Sequence, residues 1–322
     1  MKKKVFLLFC CTIFLFTACT LGETPVSQQT LERQQFSEKQ QFKENAQEGI
    51  REHLAQLCSE EMEGREGGKK GEAQAALCLA RFFQKMELKP AGDEGTYFQS
   101  FFINEYEPKL QEKRIKLCQI NSFKREKSEN ILGILEGKES EIIVVSAHYD
   151  HLGKINGEIY PGANDNASGV SAVLEITHKL AGTKPQKTLL FAFWGAEEKG
   201  LLGSQHFCTH PTVDLQDIKG IINLDTVGNL QADKRLLGWL GGESELTEEW
   251  VSELAQEGWQ ISWEKTKGRN SDHASFAKKG IPGFTLLSPT WLENNHTPED
   301  LPQNIKIESL AELVSVLLKI LK

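Results

Sequence analysis

Three apolar runs in the middle of the chain end in groups that bind metals. Ile142-Ile143-Val144-Val145 leads into Ser146-Ala147-His148-Tyr149-Asp150-His151, and Thr188 to Trp194 leads into Gly195-Ala196-Glu197-Glu198. Ile218 to Leu224 ends at Asp225. Between the first two runs lies a turn-rich loop, Pro161 to Gly169, with Asp165 at its centre, and a polar loop further on begins at His296. The candidates are therefore His148, Asp150, Asp165, Glu197, Glu198, Asp225 and His296. A mixture of imidazole and carboxylate suits zinc and its borderline neighbours, whereas calcium takes a cage of oxygens. Five ligands are too many for one open tetrahedral zinc; they suit two ions that share a carboxylate, each keeping one histidine. Two ions held together can activate a water and polarise a carbonyl at once.

Such ligands need a scaffold that brings strand ends together. The β-branched run at Ile142 reads as a strand buried on both faces, and an open α/β sheet builds its site at the carboxyl ends of neighbouring strands. Ile50, Leu54 and Leu57 start a helix near Ile50, and Ala76, Leu79, Ala80, Phe83 and Met86 give a core-facing helix over 72–86. Helices are also expected over 170–180, 203–210, 245–256, 272–278 and 307–321. Further strands are expected over 97–103, 283–287 and 130–135, the last paired with 141–147 through a turn at Gly137-Lys138. Residues 109–129 are charged and weakly patterned, as in a hairpin or loop at the sheet's edge. The alternation gives an α/β fold: a mixed, mostly parallel central sheet with helices on both faces.

The chain has 322 residues, 39% hydrophobic and 25% charged, the balance of a soluble globular protein. Its formal charge is −8 with no basic cluster, which argues against a nucleic-acid partner. Lys2-Lys3-Lys4 and the apolar stretch Val5 to Phe16 form a signal pattern too short to span a bilayer. With Thr17-Ala18-Cys19 it resembles a bacterial lipoprotein signal. That implies loss of residues 1–18, lipidation of Cys19, export to the cell envelope and contact with a membrane through the lipid anchor only. The Gln-rich stretch to residue 45 reads as a polar tether over 19–45, followed by a single domain over 46–322. Cys58, Cys78, Cys118 and Cys208 lack Cys-x-x-Cys spacing, and as disulfides they would allow three pairings.

Five motifs in order carry a more specific signal. Ala147-His148-Tyr149-Asp150-His151, Gly162 to Gly169, Trp194-Gly195-Ala196-Glu197-Glu198, Asn223-Leu224-Asp225 and His296-Thr297-Pro298-Glu299-Asp300 resemble the co-catalytic di-zinc aminopeptidase family. That family also contains glutamate carboxypeptidases and glutaminyl cyclases. The resemblance implies a zinc-exopeptidase fold in which His148, Asp165 and Asp225 hold one zinc while Asp165, Glu198 and His296 hold the other. Cobalt or manganese could substitute. It further implies that Asp150 fixes the His148 ring, that Glu197 is the general base, and that the Asp165-Asn166 peptide is cis. The substrates implied are peptides with a free N-terminus.

Dipeptidase or carboxypeptidase chemistry stays open. So do a glutaminyl cyclase-like transferase with one zinc and an inactive binding protein of the same fold. His151 and His273 stand outside the metal set, because a lone histidine is more often a hydrogen-bonded structural group. Residues 101–130 are too few for the protease-associated domain that larger relatives insert there.

Overall fold

A computed structural model describes residues 28–111, 114–264 and 270–322. Cys19 and the signal segment lie outside the described residues. Contacts divide the chain into two units, Met1–Gln41 and Phe42–Lys322, and the described part of the first is the start of helix α1 (Gln28–Leu57). The tether expected up to residue 45 is therefore helical from Gln28 onward. Gln, Glu, Lys and Arg hold helical geometry well without an apolar face, so periodicity reveals α1 only where Ala46, Ile50, Leu54 and Leu57 become buried. Among the described residues no helix is long and apolar enough to cross a membrane.

After α1 come a 3₁₀ turn at Glu60–Arg65, α2 (Lys70–Lys85), β1 (Lys89–Pro90) and β2 (Phe98–Asn104). A hairpin of β3 (Tyr106–Gln111) and β4 (Arg114–Gln119) precedes β5 (Arg125–Leu135) and β6 (Glu139–His148). A second small hairpin, β7 (Gly153–Ile155) and β8 (Glu158–Tyr160), leads to the Asp165 loop and α3 (Gly169–Leu180). Then follow β9 (Lys187–Trp194), α4 (Leu202–Thr209), β10 (Ile218–Leu224) and β11 (Arg235–Gly242). The chain continues through α5 (Glu245–Gln256), β12 (Gln260–Glu264), α6 (His273–Ala277), β13 (Gly283–Leu287) and α7 (Ile307–Ile320).

Nine strands form one sheet, ordered β1-β5-β9-β6-β10-β13-β11-β12 with β2 on β5. The central neighbours β9, β6, β10 and β13 run parallel, while β5 on β9 and β11 on β13 are antiparallel. Strand β6 shows why this centre is stable. Ile143, Val145 and Ala147 face a core shared with α1, α2, α3, α5 and α7, while Ile142 and Val144 face Phe207 of α4 and Phe276 of α6. Both faces are covered, as a parallel sheet requires. Each such side chain contributes about 1.5–3 kcal/mol by leaving water. Val145→Asp would put an unpaired charge into that core.

The register positions the site. His148 lies opposite Trp194, and Ser146 opposite Asn223, so Asp225 and the turn after Trp194 come level with His148. The pairing of 130–135 with 141–147 is corrected: β5 pairs with β9, which inserts between β5 and β6. The turn at Gly137-Lys138 is a crossover, anchored by Gly137 N–H donating to Thr188 Oγ1 and Lys138 N–H to Pro185 O. Strands β11 and β12 have no counterpart in the sequence reading.

Candidate metal centre

Asp165 stands between two histidines. Its Oδ1 is 3.3 Å from His148 Nε2, and its Oδ2 is 3.2 Å from His296 Nε2. Asp225 Oδ1 is 3.5 Å from His148 Nε2, and Glu198 Oε2 is 3.0 Å from His296 Nε2. Among the described residues two groupings could hold a metal ion: His148, Asp165 and Asp225, and His151, Asp165, Glu198 and His296. All five residues expected as ligands are thus drawn together, and His151 is an addition. Its Nδ1 lies 3.1 Å from Glu198 Oε1, while its buried Nε2 has no partner.

Glu197 and Glu198 lie beyond the end of β9 and do not extend the strand. They sit in a turn after β9 entered through Ala196 at φ 51°. Asp150 holds that turn: one carboxylate oxygen accepts from Glu197 N at 2.8 Å, the other from Glu198 N at 3.2 Å. Its carboxylate is 3.7 Å from His148 Nδ1, beyond hydrogen-bond reach, while its carbonyl is at 3.3 Å. Asp150 therefore positions the two glutamates as directly as it faces the imidazole.

The charges are strongly coupled to burial. Burial disfavours the imidazolium of His148, yet Glu197, Asp225, Asp150 and Asp165 around it hold its pKa well above the ordinary value. His296 is raised in the same way by Glu198 and Asp165. Burial resists the charge on Glu198, but His296 and His151 bring it down to about 2. Glu197 moves the other way: burial first, then Glu198, Asp272 and Asp225, raise it well above the usual range against the pull of His148.

The last segment of the site interlocks with the first. Asp300 accepts from Asn164 N at 2.7 Å and Asp165 N at 3.0 Å, and Asn295 Nδ2 donates to Asp165 Oδ2 at 2.5 Å. Asn166 ties the loop to the end of β10, donating to Leu224 O and accepting from Thr226 N. The Asp165-Asn166 peptide is cis. Gly162 sits at φ 58°, and a Cβ there would lie 2.4 Å from His151 Cγ, so only glycine fits. Ile115 of the β3–β4 hairpin accepts from His296 Nδ1 at 2.6 Å.

Other buried polar groups support the floor. Asn223 bridges Ser146, Ser271 and Thr285, and Thr285 Oγ1 is 2.6 Å from His273 Nδ1. Burial lowers His273 to about 4, so it is a neutral structural histidine. Asp272 is buried with both carboxylate oxygens unpartnered, and burial pushes it up to about 7. Cys58, Cys78, Cys118 and Cys208 are all unpaired.

Residues 130–321, which hold every one of these ligands, match the model of peptidase family M28. The chain belongs to that family. Aminopeptidase YwaD of Bacillus subtilis (strain 168) is 33% identical over 214 residues, covering 63% of this chain and 46% of YwaD. A probable leucine aminopeptidase of Trichophyton verrucosum (strain HKI 0517) is 26% identical over 255 residues, 74% of this chain and 66% of the relative. The chain thus spans between about half and two-thirds of the length of these relatives. The fold is shared with BSAP, a zinc aminopeptidase from Bacillus subtilis, at TM-score 0.66 and 20% identity, covering 86% of this chain and 95% of that one.

Proposed function

We propose that the protein is a zinc aminopeptidase with two ions sharing Asp165. The observation that carries this reading is Asp165 itself, whose two oxygens face two different histidines at 3.3 and 3.2 Å. The donor set fits zinc: imidazole nitrogens and carboxylate oxygens, buried and mutually within reach. His148, Asp165 and Asp225 would hold one ion, and Asp165, Glu198 and His296 the other, with His151 orienting Glu198. When bound, such a pair supplies Lewis acidity that activates a water and offsets charge on the peptide carbonyl oxygen.

Glu197, which lines the cleft beside the ligand cluster, takes the proton of the attacking water and gives it to the departing amine. The acidic lining of the cleft receives the substrate's ammonium and sets which bond is cut. Two zinc ions per chain with peptide hydrolysis support this reading. One ion with cyclase activity, or no turnover at all, would overturn it.

Three results are expected. Blocking the substrate's α-amine removes its charge, so an N-acetylated peptide should be cleaved at least about tenfold more slowly. Equal rates on blocked and free peptides would point to a carboxypeptidase or endopeptidase. Zinc at about a hundred times its Kd should stabilise chelator-stripped protein by about 2.7 kcal/mol, and an unchanged melting curve would count against a resident metal. Cys19→Ala should release the protein from membranes, since each buried methylene of an acyl chain contributes about 0.8 kcal/mol of anchoring. Wild-type protein recovered as a soluble form starting beyond Cys19 would sink the lipid anchor.

A further inference from the structure

The cleft over the carboxylates, about 500 Å³, contains a charge contrast. Its floor carries Asp165, Glu197, Glu198 and Asp225, but Arg114 and Lys116 also line it. Both come from β4, and strand alternation explains their direction. Ile115 and Leu117 turn onto Leu152 and Ile155, which leaves Arg114 and Lys116 on the cleft side. The hairpin cannot drift far, because the Ile115 carbonyl is bonded to His296 at 2.6 Å. Its backbone is held one imidazole ring away from the ligand cluster.

Neither cation is used by the fold. The Arg114 guanidinium lies over the Trp291 ring, 5.4 Å from its centroid, and its Nε is buried without a hydrogen-bond partner. Among the described residues neither Arg114 nor Lys116 has an ion-pair partner, although the chain has 45 acidic residues against 37 basic ones. A guanidinium over an indole, with no ion-pair partner, has its fork free for a carboxylate, and an adjacent ammonium adds a second donor.

We propose that Arg114 and Lys116 form a carboxylate-binding subsite, so that the favoured substrates carry a negative charge within a residue or two of the scissile bond. This rests on the aminopeptidase reading above. The peptide would then be oriented by opposite charges, its ammonium toward the acidic floor and its anionic group toward the hairpin. The carboxylate has two sources: the C-terminus of a dipeptide or tripeptide, or an aspartate or glutamate side chain in a longer one.

Two substrate pairs separate the sources. Leucyl-glycine against leucyl-glycinamide reads the C-terminal carboxylate; leucyl-glutamyl amide against leucyl-glutaminyl amide reads the side chain. The zinc-loaded wild type should prefer the anionic member of at least one pair by about tenfold in kcat/KM, and added salt should erode that preference. Arg114→Gln with Lys116→Gln should remove the preference, and Arg114→Glu with Lys116→Glu should invert it. The ratio within each pair is read, so a partly misfolded preparation does not change the result. No preference in either pair, or a preference that survives the double Gln variant, overturns the subsite while leaving the peptidase standing. If the wild type hydrolyses none of the four, the aminopeptidase reading falls, and the subsite with it.

Discussion

Glu197→Gln should lower turnover by about 10² to 10⁴ while leaving metal content unchanged. Glutamine keeps the shape and the backbone N–H that Asp150 grips at 2.8 Å, so the turn should survive. What is lost is the only group proposed to accept the proton. Glu198→Ala should behave differently. Its carboxylate meets His296 at 3.0 Å and His151 at 3.1 Å, so its removal opens one side of a ligand cluster. One ion per chain should then bind weakly or be lost, and activity should fall with it. Measuring zinc and hydrolysis on both variants decides the matter. If Glu197→Gln loses a metal while Glu198→Ala keeps two, the roles are reversed.

Arg65→Met should destabilise the protein by about 3–5 kcal/mol, a large effect for one substitution. Arg65 is fully buried and has four carbonyl acceptors: Tyr149 O at 2.8 Å, Leu57 O at 2.6 Å, Pro161 O at 2.8 Å and Gly162 O at 2.9 Å. It joins the end of α1 to both chain segments that flank His151. Methionine of similar length would gain about 2 kcal/mol of apolar burial. Gly162 O keeps the Ala167 N–H at 3.1 Å, but the other three acceptors are stranded at about 1–3 kcal/mol each before relaxation, so the loss wins. A shift in the urea midpoint worth less than about 1 kcal/mol would show that water replaces the guanidinium.

The strands carrying the centre were legible because β6, β9 and β10 each contain an apolar run with an abrupt polar end, and the cost of burying charge makes such ends conspicuous. Their carboxyl ends do converge, with His148 and Asp225 3.5 Å apart. The order of strands was less legible. A short turn suggested a hairpin after β5, and nothing local announces that β9 will insert there. Strand β11 is interrupted by Gly238, Gly241 and Gly242, and β12 alternates too weakly to stand out. His151 follows His148 by three residues and carries no mark that separates a structural histidine from one facing Glu198. Arg65 sits in a glycine-rich turn, and three of its four carbonyl partners, on Tyr149, Pro161 and Gly162, are distant in sequence. The Ile115 carbonyl is a main-chain atom, which any residue type supplies equally.

The clasp of Asp300 and Asn295 around the Asp165 loop has a consequence for how the centre is made in time. A growing polypeptide that has reached residue 290 has the ends of β6, β9, β10 and β13, but not His296 or the carboxylate that holds the Asn164 and Asp165 amides. Up to that point the shared aspartate has neither its second histidine nor its backbone clamp. Synthesis from the amino end therefore leaves the acidic cluster open until Asp300 has been added. A stalled or truncated chain would carry unbalanced negative charge in its core. Closure of the cluster is then a later step than the pairing of the strands that carry it.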